Sequence, residues 1–117
     1  MDELKRRLHI TLLYDFYGQL LTENQKNLFE DYYQNDLSLA EIAENRQISR
    51  QGVYDQLKRT EHLLDGYEDK LKLAAKFDRM KELVLKIRGL SEELKTNGDE
   101  QIAGEIEETA KQILVDF

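Results

Sequence analysis

A chain of 117 residues with 40% hydrophobic and 35% charged residues, six glycines and no proline has the make-up of an all-helical globular unit. With no cysteine, disulfides and thiolate metal sites are excluded, and a formal net charge of -7 opposes indiscriminate binding to a phosphate backbone. No apolar run reaches the ~18 residues a membrane span needs, and no signal-peptide pattern precedes the first helix, so the expectation is a cytoplasmic protein without a membrane span.

The spacing predicts a first amphipathic helix over residues 3–20, with Leu4, Leu8, Leu12, Leu13, Phe16, Tyr17, Leu20 and Leu21 of the segment 3–21 on one broad face. Thr22 ends it and opens a Thr-x-x-Gln capping box with Gln25. A second helix follows over residues 23–35, with Leu28, Phe29, Tyr32 and Tyr33 paired at i and i+4 on an aromatic face. Ser38 and Glu41 form another capping box ahead of a short helix over residues 38–46, whose apolar positions are Leu39, Ile42 and Ala43.

Ser49 is the N-cap of the longest predicted helix, residues 49–74. Its stripe of Val53, Leu57, Thr60, Leu64, Tyr67, Leu71 and Ala74 advances by alternating steps of four and three. At about 1.5 Å per residue such a helix is roughly 40 Å long, so its two halves are expected to have different partners. A short helix, a tight turn and a second helix, with small Ala43 where the backbones approach, is the helix-turn-helix pattern. Gln47 stands where that turn usually takes glycine, and a left-handed conformation there would cost about 1 kcal/mol.

Beyond residue 75 the apolar stripe slips by one position, through Leu73, Phe77, Met80, Val84, Ile87 and Leu94, which predicts a break near residues 73–76 and a helix over 77–96. Gly98 then supplies a left-handed C-terminal cap and Asp99 caps the next helix. That last helix, over residues 99–116, sets Ile102, Ile106, Ala110, Ile113 and Phe117 on one side and folds back antiparallel. The organisation is thus a helix-turn-helix domain over residues 1–75 and a C-terminal helical hairpin over residues 76–117, all-α throughout.

Charge is uneven along this frame. Residues 46–59 hold four basic groups against one acid, a net of +3, whereas residues 99–117 hold six acids against one base, a net of -5. With Val53 inward, Gln51, Asp55, Lys58, Arg59 and His62 point outward, and Arg46 and Arg50 flank the helix start at Ser49. Arg46, Ser49, Arg50, Gln51, Lys58 and Arg59 are therefore the candidate nucleic-acid-binding residues. Gln51 suits adenine, and Lys58 or Arg59 suits guanine or phosphate. The competing reading is a solvated face on which Asp55 pairs with Lys58 or Arg59. His9 and His62 lack the companions a metal or a nucleophile requires, and the carboxylates lack acid-base partners or a glycine-rich phosphate loop, so no catalytic residue, metal or cofactor is expected. The aromatic residues lie mostly at core spacing, which favours packing over base stacking.

The segment SLAEIAENRQISRQGVYDQLKRTEHLLDGYEDKL, residues 38–71, resembles the core of the YlxM family of small bacterial helix-turn-helix proteins, above all in SLAEIAE, SRQ-x-VYD, KRTE and YE-x-KL. The helix-turn-helix part is also similar to the promoter-reading domain of sigma factors, through EIAE, SR and V followed by KR. The YlxM resemblance spans about residues 12–75. It departs at Arg46 and Gln47, where an apolar residue and glycine are more usual, and at Gly52, where alanine is common. The resemblance implies a sigma-like fold and a role in the signal recognition particle pathway, an association drawn mainly from gene neighbourhood, with the particle's RNA or its GTPase as partners. Three readings stay open at this stage: a regulatory accessory protein of that ribonucleoprotein, a DNA-binding transcriptional regulator, and a protein adaptor that no longer reads nucleic acid. The apolar tail fits a homodimer surface or packing within the chain.

Overall fold

The computed structural model describes residues 2–116. In chain order it contains α1 (Glu3–Tyr17), a 3-10 turn (Gly18–Leu20), α2 (Glu23–Tyr33), α3 (Leu39–Arg46), α4 (Arg50–Leu71), α5 (Leu73–Asn97) and α6 (Glu100–Asp116). No strand occurs among the described residues, and the protein is all-α. Phe117, expected on the apolar side of the last helix, lies outside them.

Helix starts follow side-chain capping. Both capping boxes close: Thr22 Oγ1 accepts from the Gln25 amide at 3.2 Å while Gln25 Oε1 accepts from the Thr22 amide at 2.9 Å, and Ser38 and Glu41 do the same at 3.1 and 3.2 Å. Ser49 Oγ accepts from the Gly52 amide at 2.9 Å and Asp99 Oδ1 from the Gln101 amide at 2.9 Å. Asp2 caps α1 in the same way, accepting from the Lys5 amide at 2.8 Å. Each cap satisfies one of the amides that a first helical turn leaves without a partner.

The expected first helix is shorter by three residues, because the chain tightens into the 3-10 turn after Tyr17. Its inward stripe also differs. Ile10, Leu13 and Tyr17 are buried, whereas Leu4, Leu8 and Leu20 face solvent. At the N-terminal end of α1 the positions facing α4 are polar instead: Arg6 Nη2 donates to Glu61 Oε1 at 3.0 Å, and His9 Nε2 lies 3.4 Å from Asp65 Oδ1.

The two halves of α4 do have different partners. Val53 and Leu57 pack in one cluster with Ile42 and Ala43 of α3 and Leu28 of α2. Farther along, α1 takes over through the Arg6 and His9 pairs, the Tyr17–Tyr67 ring contact at 6.0 Å, and a hydrogen bond from the Tyr17 hydroxyl to Glu68. Rings join α1 to α2, with Tyr14 stacked on Phe29 at 4.3 Å and Phe29 on Tyr33 at 4.4 Å. Such pairs add about 1 kcal/mol each beyond the area they bury.

The chain divides at Lys72 into two compact units, one ending there and one beginning at Leu73. The break comes slightly before the expected 73–76, since Lys72 itself takes the left-handed conformation at φ 57° while its amide donates to the Glu68 carbonyl at 2.9 Å. In the second unit α5 and α6 pack on each other as a hairpin turned by Gly98, at φ 59°, and Asp99. Its half-buried seam runs through Met80, Ile87, Leu90 and Leu94 of α5 and Ile102, Ile106 and Ile113 of α6. Leu83 is buried and Val84 is exposed, one position away from the expected stripe.

Candidate nucleic-acid interface

The turn between α3 and α4 sets the geometry of everything that follows. Gln47 adopts φ 57° and ψ 42°, its amide donates to the Glu44 carbonyl, and the Ile48 amide donates to the Ala43 carbonyl at 3.1 Å. These two bonds are the Schellman closure of a helix, here with glutamine at the position glycine usually fills. The chain then re-enters helix at the Ser49 cap, and α4 runs 22 residues with Val53, Leu57, Thr60, Glu61 and Leu64 buried.

Around α4 the six candidate residues separate into four places. Ser49 is occupied as the N-cap. Gln51 lies on the exposed side opposite the core, and its Nε2 donates to Asp55 Oδ1 at 3.0 Å. A carboxylate therefore sits in the middle of the outward face, and the amide that would read a base edge is held by it. Arg59 lines one flank, in a cleft of about 280 Å³ beside Asn24 and Thr22 at the start of α2. Arg46 reaches the same flank, with Nη1 donating to Asn24 Oδ1 at 2.7 Å. Arg50 and Lys58 line the opposite flank with Tyr54 between them. Lys58 Nζ lies 3.8 Å from Glu61 Oε2 and 5.4 Å from the centre of the Tyr54 ring. The pairing of Asp55 with Lys58 or Arg59 expected from the sequence gives way to Asp55 with Gln51 and Lys58 with Glu61.

Reasoning from the sequence missed several participants on the Tyr54 flank. Tyr54 is 44% exposed and so is an exception to the assignment of aromatic residues to the core. Glu61 is 2% exposed, between Arg6, Lys58 and Tyr33. Burial first, and then the charge of Glu61, push the Tyr33 hydroxyl well above the ordinary phenol range. The Arg7 guanidinium lies 4.8 Å above the Tyr33 ring and 5.4 Å above that of Tyr32. One signal was legible in advance: Arg50, Tyr54 and Lys58 recur at i, i+4 and i+8, a single stripe on any helix. The contribution of Arg6 and Arg7, more than forty residues away in the chain, was not.

Helices α3 and α4, joined by the left-handed turn at Gln47 and braced by α1 and α2, define a helix-turn-helix protein. The family described as "Putative helix-turn-helix protein, YlxM / p13 like" matches residues 4–108, and the chain belongs to that family. A UPF0122 protein of Caldanaerobacter subterraneus subsp. tengcongensis is 57% identical over 81 residues, 69% of either chain. One from a Thermoanaerobacter species is 48% identical over 107 residues, 91% of this chain and 92% of the relative, and one from Shouchella clausii is 47% identical over 85 residues, 73% and 78%. Among the described residues no helix is long and apolar enough to cross a membrane, and no three His, Cys, Asp or Glu side chains converge as metal ligands.

Proposed function

We propose that this chain is a non-enzymatic accessory protein of the signal recognition particle pathway, acting in the cytoplasm on the particle's RNA or its GTPase. The pathway rests on the family resemblance. The preference for an assembled target over a free operator is supported by one observation, the Asp55 carboxylate at the centre of the outward face of α4 with the Gln51 amide engaged on it. An operator-reading helix presents donors and cations at that place and works within a broad basic field. Here residues 1–67 carry eight basic groups against twelve acids, so only local basic patches remain. A protein docking on a preassembled ribonucleoprotein needs no more, because contacts to protein add affinity and specificity.

A DNA-binding transcriptional regulator is the second reading, favoured by the exposed Arg50 immediately after the Ser49 cap at the start of α4. A pull-down from cell lysate with and without nuclease separates the two. The accessory role predicts recovery of the particle's RNA, its GTPase or both. Recovery of operator DNA with neither particle component overturns it.

A further inference from the structure

The Tyr54 flank of α4 has the shape and chemistry of a site that the outward face lacks. Tyr54 lines two adjoining depressions. One, of about 150 Å³, is walled by Arg6 and Arg7 of α1, Tyr32 and Tyr33 of α2, and Lys58. The other, of about 490 Å³, contains Arg50 and Gln51. Four cations thus border the pair of depressions, and the acids beside them are Glu3 and Glu61. Glu61 is 2% exposed and already held by Arg6 and Lys58, so it presents no negative surface. Arg7 enters no ion pair among the described residues. Its guanidinium carbon lies 4.8 Å from the centre of the Tyr33 ring and 5.4 Å from that of Tyr32, a cation–π position that places its charge beside the smaller depression.

We propose that this flank binds an unpaired stretch of nucleic acid, with one base against Tyr54 in the smaller depression and phosphates carried by Arg7 on one side and Arg50 on the other. Cations interleaved with a half-exposed aromatic ring are the arrangement by which single strands are held without sequence reading, the ring stacking a base and the cations following the backbone. Size and relief argue against a duplex. A space of about 150 Å³ matches a cavity that takes one benzene-sized ring, and it is a recess between helices, whereas groove reading requires an element that protrudes. The inference rests on the reading that this protein meets nucleic acid, and it moves the contact from the outward face of α4 to its flank.

Fluorescence anisotropy with labelled oligouridylate and oligothymidylate of about ten nucleotides, and with a duplex of equal length, tests the site. The expected result is that the single strands bind more tightly than the duplex, and the ratio of the two single strands tells whether the 2′-hydroxyl contributes. Tyr54→Ala should weaken binding about tenfold, with Tyr54→Trp restoring it. Arg7→Ala should lower the salt dependence by about 0.7 of a log–log slope unit, the value for one phosphate no longer neutralised. Asp55→Ala on the outward face should not weaken binding. Circular dichroism confirms that each variant is folded. Equal or tighter binding of the duplex, an unchanged isotherm for Tyr54→Ala, or no binding of either single strand overturns the proposal. Recovery of the particle's GTPase in the nuclease-treated pull-down would then still uphold the accessory role, so the two failures are distinguishable.

Discussion

Gln47 is the residue on which the helix-turn-helix angle depends, and it carries out a glycine's task with a side chain attached. Its φ of 57° is needed because the Ile48 amide can reach the Ala43 carbonyl only if the chain reverses its twist at that point. A left-handed glutamine costs about 1 kcal/mol relative to glycine, and the closed hydrogen-bond pair offsets that cost. Gln47→Gly should therefore raise stability by about 1 kcal/mol, read as a higher midpoint in urea with an unchanged slope; a fall in stability would contradict the strain. Tyr14 offers a second test at this scale. Burial, then its 2.7 Å hydrogen bond to Glu30, push its hydroxyl from 10.0 up to about 12. The native state holds this proton more tightly than the unfolded chain, so the contribution is complete below pH 10, the unfolded value, and is lost as pH rises toward about 12. Denaturation midpoints followed against pH should fall across that alkaline window, and Tyr14→Phe should flatten the fall.

At the scale of the element, α4 is a helix with three kinds of side. Its core side was legible from the steps of four and three as far as Leu64, with Val53, Leu57, Thr60 and Leu64 all buried, whereas Leu71 of the same expected stripe is 46% exposed. Glu61 was not legible as part of it, because a glutamate in a charged stretch reads as solvated until a cation from another helix is placed against it. Arg6 supplies that cation at 3.0 Å, and removing it would leave a buried carboxylate with only Lys58, at 3.8 Å, as its ionic partner. Arg6→Met should accordingly destabilise the fold by about 2 kcal/mol, and the loss should be smaller when Glu61→Gln is also present, since a neutral amide is cheaper to bury. A double-mutant cycle in urea measures both. Equal losses in the two backgrounds would show that the pair is not coupled.

For the whole molecule, the division at Lys72 separates a unit whose core is complete from a two-helix hairpin that leaves much apolar surface uncovered. Leu85, Leu114 and Val115 are 56%, 80% and 84% exposed. Two helices bury too little to be stable alone, and a second copy of the chain is the occupant expected from the apolar tail. Sedimentation should give a mass above that of the monomer, and Leu85→Glu with Leu114→Glu should shift it back; a monomer at high concentration would reject self-association. With a net charge of -5 over residues 99–117, such an association should be salt-dependent, tighter as salt screens the repulsion between copies.

Local rules sufficed for the helices, their caps, the left-handed turn at Gly98 and the helix-turn-helix itself, because periodicity and capping act within a few residues of one another. The boundaries drifted where two local tendencies compete, as at Leu20 and at Lys72. What only the tertiary structure decided was which of the polar residues on α4 are engaged and on which flank each lies. Asp55 holds Gln51, Asn24 holds Arg46, and α1 brings Arg6 and Arg7 beside Tyr54 and Lys58 across more than forty residues of chain. A helical wheel fixes the angle of a side chain about its own axis. The neighbour it meets depends on where other helices cross, and that is settled by the burial of Ile10, Leu13 and Phe29 and by the cluster that Leu28, Ile42, Val53 and Leu57 form between α2, α3 and α4.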